Sequence, residues 1–422
     1  MGFIDRAYYF FTPYTDAHER AVATFFKGLT EHSNRSHTQA RLRSLLQGDS
    51  AVINLWTEYR YKGYHYLQKT RRKQLYANLK LIAADFDHFY QHHAPSVEAA
   101  VARIQQQAPQ VSIDADKAVC VQALMAYFAP QRGTYEYLES SSFGRLLRNP
   151  AHEKLVGDCN QIVTLYIYLY SRYYDVGDLQ VRVLPEHVAL HYSGIDIETT
   201  NGTYKDYSSI KNSKLLPIEE IVSINLLDTT DAYLATHEIA PEDFLQASRF
   251  AFILSHEREL VARNLAVAYS NLVGTLMKRS DYKQALGFAK ASGDVQLLNI
   301  VGRNGAVHEM ERHNYAAARR FAGVAAERDE LVRATWQSEA AEQYRAQHYR
   351  EAIKAFEHIH DQEGIRRCYA ALFFVEQAKL PSQLTTDVIK QHATIIKNMR
   401  MYAKKSGNNK LIEHAAVLGK HL

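Results

Sequence analysis

Residues 179–200 read Leu-Gln-Val-Arg-Val-Leu-Pro-Glu-His-Val-Ala-Leu-His-Tyr-Ser-Gly-Ile-Asp-Ile-Glu-Thr-Thr. Apolar residues alternate with others in three short runs, Leu179–Val183, Val188–Tyr192 and Ile195–Thr199. A period of two marks a strand with one buried face. Ser193-Gly194 between the last two runs fits a two-residue hairpin turn. That turn sets a register: Tyr192 opposite Ile195, His191 opposite Asp196, Ala189 opposite Glu198 and His187 opposite Thr200. Residues of one parity share a face, so His187, Ala189, His191, Asp196, Glu198 and Thr200 point the same way. A slip of one residue would reverse the assignment.

Just upstream, the segment from Cys159 to about Tyr174 is apolar almost all round, which predicts a buried helix. Another helix is expected around Asp116–Tyr127, followed by an aromatic-rich loop to Asn149-Pro150. Residues 111–235 therefore read as an α+β core, a buried helix packed on an antiparallel sheet. Residues 1–110 read as a helical N-terminal region. Leu75, Leu79, Ile82, Phe86 and Phe89 recur every three or four positions on one helix face. Ala94-Pro95-Ser96 ends that long helix, and a shorter one follows to Gln107. Asp16 with Glu19 fits a capping box at an earlier helix start.

Residues 236–422 are helical and repetitive. Asp281-Tyr282-x-x-Ala285, Asn314-Tyr315-x-x-Ala318 and His348-Tyr349-x-x-Ala352 recur, their tyrosines 33 and 34 residues apart. That spacing is the period of a tetratricopeptide repeat, whose helix–turn–helix units bury their faces by stacking. Trp336 and Phe356 fall at aromatic positions of the third copy. Asp243-Phe244-x-x-Ala247 reads as a degenerate earlier copy. The glycine usual before the tyrosine pair is missing in all three.

Composition narrows the function classes. The 422 residues suit two to four domains. A net charge of +4 gives no reason to expect a nucleic-acid partner. Three widely spaced cysteines, Cys120, Cys159 and Cys368, make no disulfide framework and point to a reducing, cytoplasmic setting. Met1–Arg6 lacks a signal-peptide pattern, and Arg6 spoils a myristoylation motif. The longest apolar run, Ile162–Tyr170, is too short to span a bilayer. No Gly-rich phosphate loop occurs, so no nucleotide cofactor is expected. His88 and His92, with Asp85, have a spacing that binds metals, but 20 histidines make such pairs common, and no metal is expected. The basic, tyrosine-rich stretch Tyr59–Lys80 reads as a solvated helix face rather than a polyanion site. Cys120 and Cys368 read as packing residues.

Gly157-Asp158-Cys159-Asn160 stands where the loop meets the buried helix. A helix N-terminus favours thiolate over thiol, and its amides can receive an oxyanion. His187 would serve as the imidazole partner such a nucleophile needs. Glu198, diagonal to His187 across the hairpin, would orient it, with Asp196 the second choice.

Gly-x-Cys opening a buried helix, then a strand beginning with His, then acid-Thr on the next strand, resembles the transglutaminase-core superfamily of papain-like thiol enzymes. The stretch from about Asp116 to Tyr207 is similar to bacterial transglutaminase-like domains, some of which carry tetratricopeptide repeats C-terminal to the core. The resemblance implies Cys159 as nucleophile, His187 as base and Glu198 as the acid, where the family usually has Asp. It implies acyl transfer at an amide through a thioester, resolved by water or an amine. It identifies no side-chain oxyanion donor; Asn160, Tyr135 and Tyr137 are the candidates. Two function classes stay open. One is a cysteine protease, amidase or acyltransferase whose helices hold a protein or peptide substrate; an arylamine N-acetyltransferase or cell-wall peptidase is a weaker variant. The other is a non-catalytic interaction scaffold with a degenerate core, its cleft plugged by Tyr135, Tyr137 and the loop through Phe143. Substrate and oligomeric state are not legible.

Overall fold

A computed structural model describes residues 8–230 and 232–420; the N-terminal features read at Met1–Arg6 lie outside them. The chain divides into two compact units, Met1–Leu272 and Val273–Leu422.

In the first unit, helices α1 (Ala17–Gly28), α2 (Arg35–Tyr61), α3 (Lys69–His93), α4 (Val97–Gln107) and α5 (Ala115–Phe128) precede a parallel pair, β1 (Tyr135–Tyr137) and β2 (Leu155–Gly157), with the one-turn α6 (Phe143–Leu146) between them. Helix α7 (Cys159–Ser171) leads into strands β3 (Leu179–Leu184), β4 (His187–Tyr192), β5 (Ile195–Glu198), β6 (Thr203–Lys205) and β7 (Lys214–Pro217). These five form an antiparallel sheet in the order β6-β5-β4-β3-β7. Helices α8 (Glu220–Leu227) and α9 (Pro241–Leu254) follow, and α10 (Arg258–Lys278) runs past Leu272, the last residue of this unit. The fold class is α+β, as expected. No helix among the described residues is long and apolar enough to cross a membrane.

The β4–β5 register is the expected one. Tyr192 faces Ile195, His191 faces Asp196 and Leu190 faces Ile197. Ser193 and Gly194 both have positive φ, as a tight right-twisted hairpin requires. Val188, Leu190, Tyr192, Ile195 and Ile197 enter the core, and α7 packs on that side of β4.

One hydrophobic core runs from Val22 to Leu254, so the boundaries expected at 110 and 235 do not separate compact units. The reason is α2. Residues 50–58 are all buried, and they press on α7. The Ser50 hydroxyl donates to the Thr164 carbonyl, and the Asn54 and Asn225 amides both donate to Thr164 Oγ1. A kink at Asp49 divides α2, and the Asp49 carboxylate caps the second half through the N–H groups of Ala51 and Val52.

Three local expectations are corrected. Asp16 caps α1 through Glu19 N–H, but the Glu19 carboxylate accepts from the Thr15 amide and from Arg72 instead of completing the box. Arg72 is fully buried, held by Glu19 and lying over the Tyr59 ring at 4.2 Å, so the Tyr59–Lys80 stretch is not simply a solvated face. Asp243 lies inside α9 and caps nothing, because Pro241 starts that helix two residues earlier.

The second unit contains α11 (Tyr282–Ser292), α12 (Val295–Glu311), α13 (Tyr315–Ala322), α14 (Arg328–Arg345), α15 (Tyr349–His358), α16 (Gln362–Gln377), α17 (Thr386–Gln391), α18 (Ala393–Ser406) and α19 (Asn409–Gly419). Each repeated tyrosine is the first residue of a helix, directly after its capping residue. The turns before them, and the one before α16, share one construction. Ser280, His313 and Gln347, and His360 before α16, all take left-handed φ. Their N–H groups bond three residues back, and the next N–H bonds five back, to Leu276, Glu309, Gln343 and Phe356. This is a Schellman helix ending whose last residue also caps the next helix.

Candidate active site

Helix α7 begins at the nucleophile candidate. Asp158 is its cap, accepting from the N–H groups of Asn160 at 2.9 Å and Gln161 at 3.4 Å, while Gln161 Oε1 accepts from Asp158 N–H at 2.9 Å. This reciprocal box fixes the turn and leaves Cys159 N–H, at the first helical position, without an intrahelical acceptor. Gly157 ends β2 in tight quarters: a Cβ there would meet Gln161 Cβ at 3.3 Å and the Leu146 side chain at 3.4 Å. The parallel β1–β2 ladder, with Tyr137 opposite Gly157, carries the chain to this point.

His187 is the first residue of β4 and lines the same cleft as Cys159, whose Sγ–H donates to Asn160 Oδ1 at 3.9 Å. Its Nε2 lies 2.7 Å from Glu198 Oε2. Cys159 and Glu198 raise the imidazole to about 10, against the cost of burial. Burial pushes the Glu198 carboxyl up, but its hydrogen bonds outweigh this and hold it at about 2. Glu198 Oε2 also accepts from Tyr207 Oη at 2.6 Å, and Oε1 from Thr200 Oγ1 at 2.5 Å and N–H at 3.1 Å. The Tyr207 ring stands edge-on to His187, with centroids 6.1 Å apart.

Asp196, the second choice for the acid, belongs elsewhere. It takes Arg182 Nε at 3.1 Å, His191 Nδ1 at 2.6 Å and Tyr207 N–H at 3.1 Å. None of these bonds reaches His187.

Cys159 and His187 line a cleft of about 720 Å³ with Tyr137, Asn160 and Asp228. The oxyanion candidates fare unequally. Asn160 Nδ2 is committed to Asp228 Oδ2 at 2.8 Å, and Tyr135 Oη donates to the Gly157 carbonyl at 2.6 Å. Tyr137 is exposed on the cleft wall. Phe143 is buried in the core and does not line the cleft. Burial, with Asp228 beside it, lifts the Asp158 carboxyl to about 7.

Cys120 and Cys368 are fully buried in apolar surroundings, which push their thiols up to about 12 and about 11. His88 and His92 stack on each other, and no group of three or more metal-binding side chains occurs among the described residues.

Tyr207 and Thr200 carry no role in the sequence reading. Asn201-Gly202 signals a turn after β5, but the loop spans residues 199–202, with Glu198 opposite Thr203, so the turn alone does not place Tyr207. No protein-family model and no curated protein sequence matches the chain.

Proposed function

We propose that this protein is a transglutaminase-like cysteine enzyme that hydrolyses, or transfers the acyl group of, an amide or peptide bond in a protein or peptide substrate. The observation that carries this reading is that Cys159, at a helix N-terminus, and His187, held by Glu198 at 2.7 Å, line one cleft. The thiolate attacks the amide carbon, and the developing oxyanion turns toward the Cys159 N–H. The imidazolium passes its proton to the leaving amine, leaving a thioester on Sγ. His187 then takes a proton from water, or from an acceptor amine, which attacks the thioester and frees Cys159. Glu198 holds the imidazole by Nε2–H and stabilises its charged form. The glutamate does here what aspartate does in the resembled family.

The helical hairpins of the second unit, read as divergent tetratricopeptide-like repeats, would hold the protein partner. Three free, buried cysteines suit a reducing, cytoplasmic setting.

The test is alkylation by iodoacetamide against pH, read by mass spectrometry at each cysteine. Cys159 is expected to react well below the ordinary thiol pKa of ~8.5, and His187→Ala to abolish that low-pH reaction. Cys120 and Cys368 serve as slow internal references. If Cys159 reacts no faster than they do, the core is a scaffold and the enzyme reading is wrong.

A further inference from the structure

The reading of Cys159 as a nucleophile leaves the substrate open, and the cleft around it has a one-sided chemistry. Its exposed carboxylates are Glu139 and Glu186, with the half-buried Asp228 deeper in. His187 is the one cationic side chain among the described lining residues, and it is already paired with Glu198. Beside these acids stands an apolar wall that includes Ile224, Leu227 and Val261, and Leu260 on it is 49% exposed. A cleft that lines a nucleophile with both carboxylates and apolar side chains suits a ligand with both characters. A low-dielectric cleft lined by one sign of charge concentrates the opposite sign and repels its own.

We infer that the substrate segment is cationic: an amide with Lys or Arg, and an apolar residue, close to it in the chain. An acidic segment would bring its carboxylates against Glu139, Glu186 and Asp228, whose negative charge no lysine or arginine among the lining residues offsets. This rests on the catalytic reading of Cys159.

Charged thiol reagents probe the point without knowing the substrate. The full chain is treated with three methanethiosulfonates, one neutral, one carrying an ammonium and one a sulfonate. Each rate at Cys159 is divided by the rate of the same reagent with free glutathione. The cationic reagent is expected to exceed the anionic one by on the order of tenfold or more. The double variant E139Q/E186Q should collapse that ratio toward one, as should 1 M salt, which shrinks the Debye length to about 3 Å. Both glutamates are exposed, so the variant should fold. Equal rates for the two charged reagents, or a ratio that the double variant leaves intact, would overturn the inference. The neutral reagent separates the two claims. Its low-pH reaction with Cys159, lost in His187→Ala, supports the nucleophile even if charge preference is missing. A cation preference without that reaction makes the cleft a binding groove and removes the substrate claim. Finally, failure of all three reagents to label Cys159 means the cleft admits no ligand, and both claims fall.

Discussion

Glu198 illustrates how a carboxylate is kept charged in a largely buried place. Four donated hydrogen bonds, from His187, Tyr207 and Thr200, outweigh desolvation. The consequence falls on His187, whose charged form depends on the carboxylate facing Nε2. Tyr207 therefore acts as a positioning residue. Removing its hydroxyl deletes a charge-assisted hydrogen bond, ~1.5–3 kcal/mol of support for the carboxylate, part of which reaches the imidazolium. In Tyr207→Phe the His187 proton should be lost about one pH unit lower than the value of about 10 in the parent, as read by NMR titration of the ring. The thermal midpoint should move by only a few degrees. An unchanged titration would confine Tyr207 to packing. The pairing of His187 with Glu198 was legible in the sequence because a two-residue turn leaves one register open. The tyrosine was not, because it sits beyond β6, where a three-residue strand gives too short a period to read.

Elements of fixed period were the ones that could be read. The helix face Leu75–Phe89 and the three alternating runs each repeat a side-chain spacing. The pair β1–β2 repeats nothing: two three-residue strands meet across 20 residues of sequence, and only the tertiary fold brings them together. The helical hairpins carry a different lesson. The glycine missing before each repeated tyrosine leaves the left-handed turn in place, and Ser280, His313 and Gln347 take it at the cost of crowding their Cβ atoms. Gln347 is exposed. Gln347→Gly should thus stabilise the second unit by ~0.5–1 kcal/mol, the left-handed strain relieved minus the entropy that glycine adds to the unfolded chain. That is about 1–4 °C in the unfolding midpoint by calorimetry. Gln347→Ala keeps the Cβ and should give no gain. A loss of stability in the glycine variant would mean that the turn is not left-handed.

At the scale of the molecule, the N-terminal helices belong to the same compact unit as Cys159 and share its core. Helix α2 backs the helix that presents Cys159, through Ser50, Asn54 and Thr164. The sequence showed that residues 1–110 were helical but not what they packed on, since a buried polar triad leaves no periodic trace. What this scaffold is proposed to do is hold a thiol, an imidazole and a carboxylate in line so that an acyl group can pass to sulfur. The most direct measurement of that claim is intact-protein and peptide mass spectrometry after rapid quenching of the full chain with p-nitrophenyl acetate. The account predicts an acetyl group on the Cys159 peptide at early times, lost again as water resolves the thioester. It also predicts that His187→Ala slows the acylation by at least about a hundredfold, the scale of general acid–base catalysis. Acetyl absent from Cys159, or formed there equally fast in His187→Ala, would contradict it.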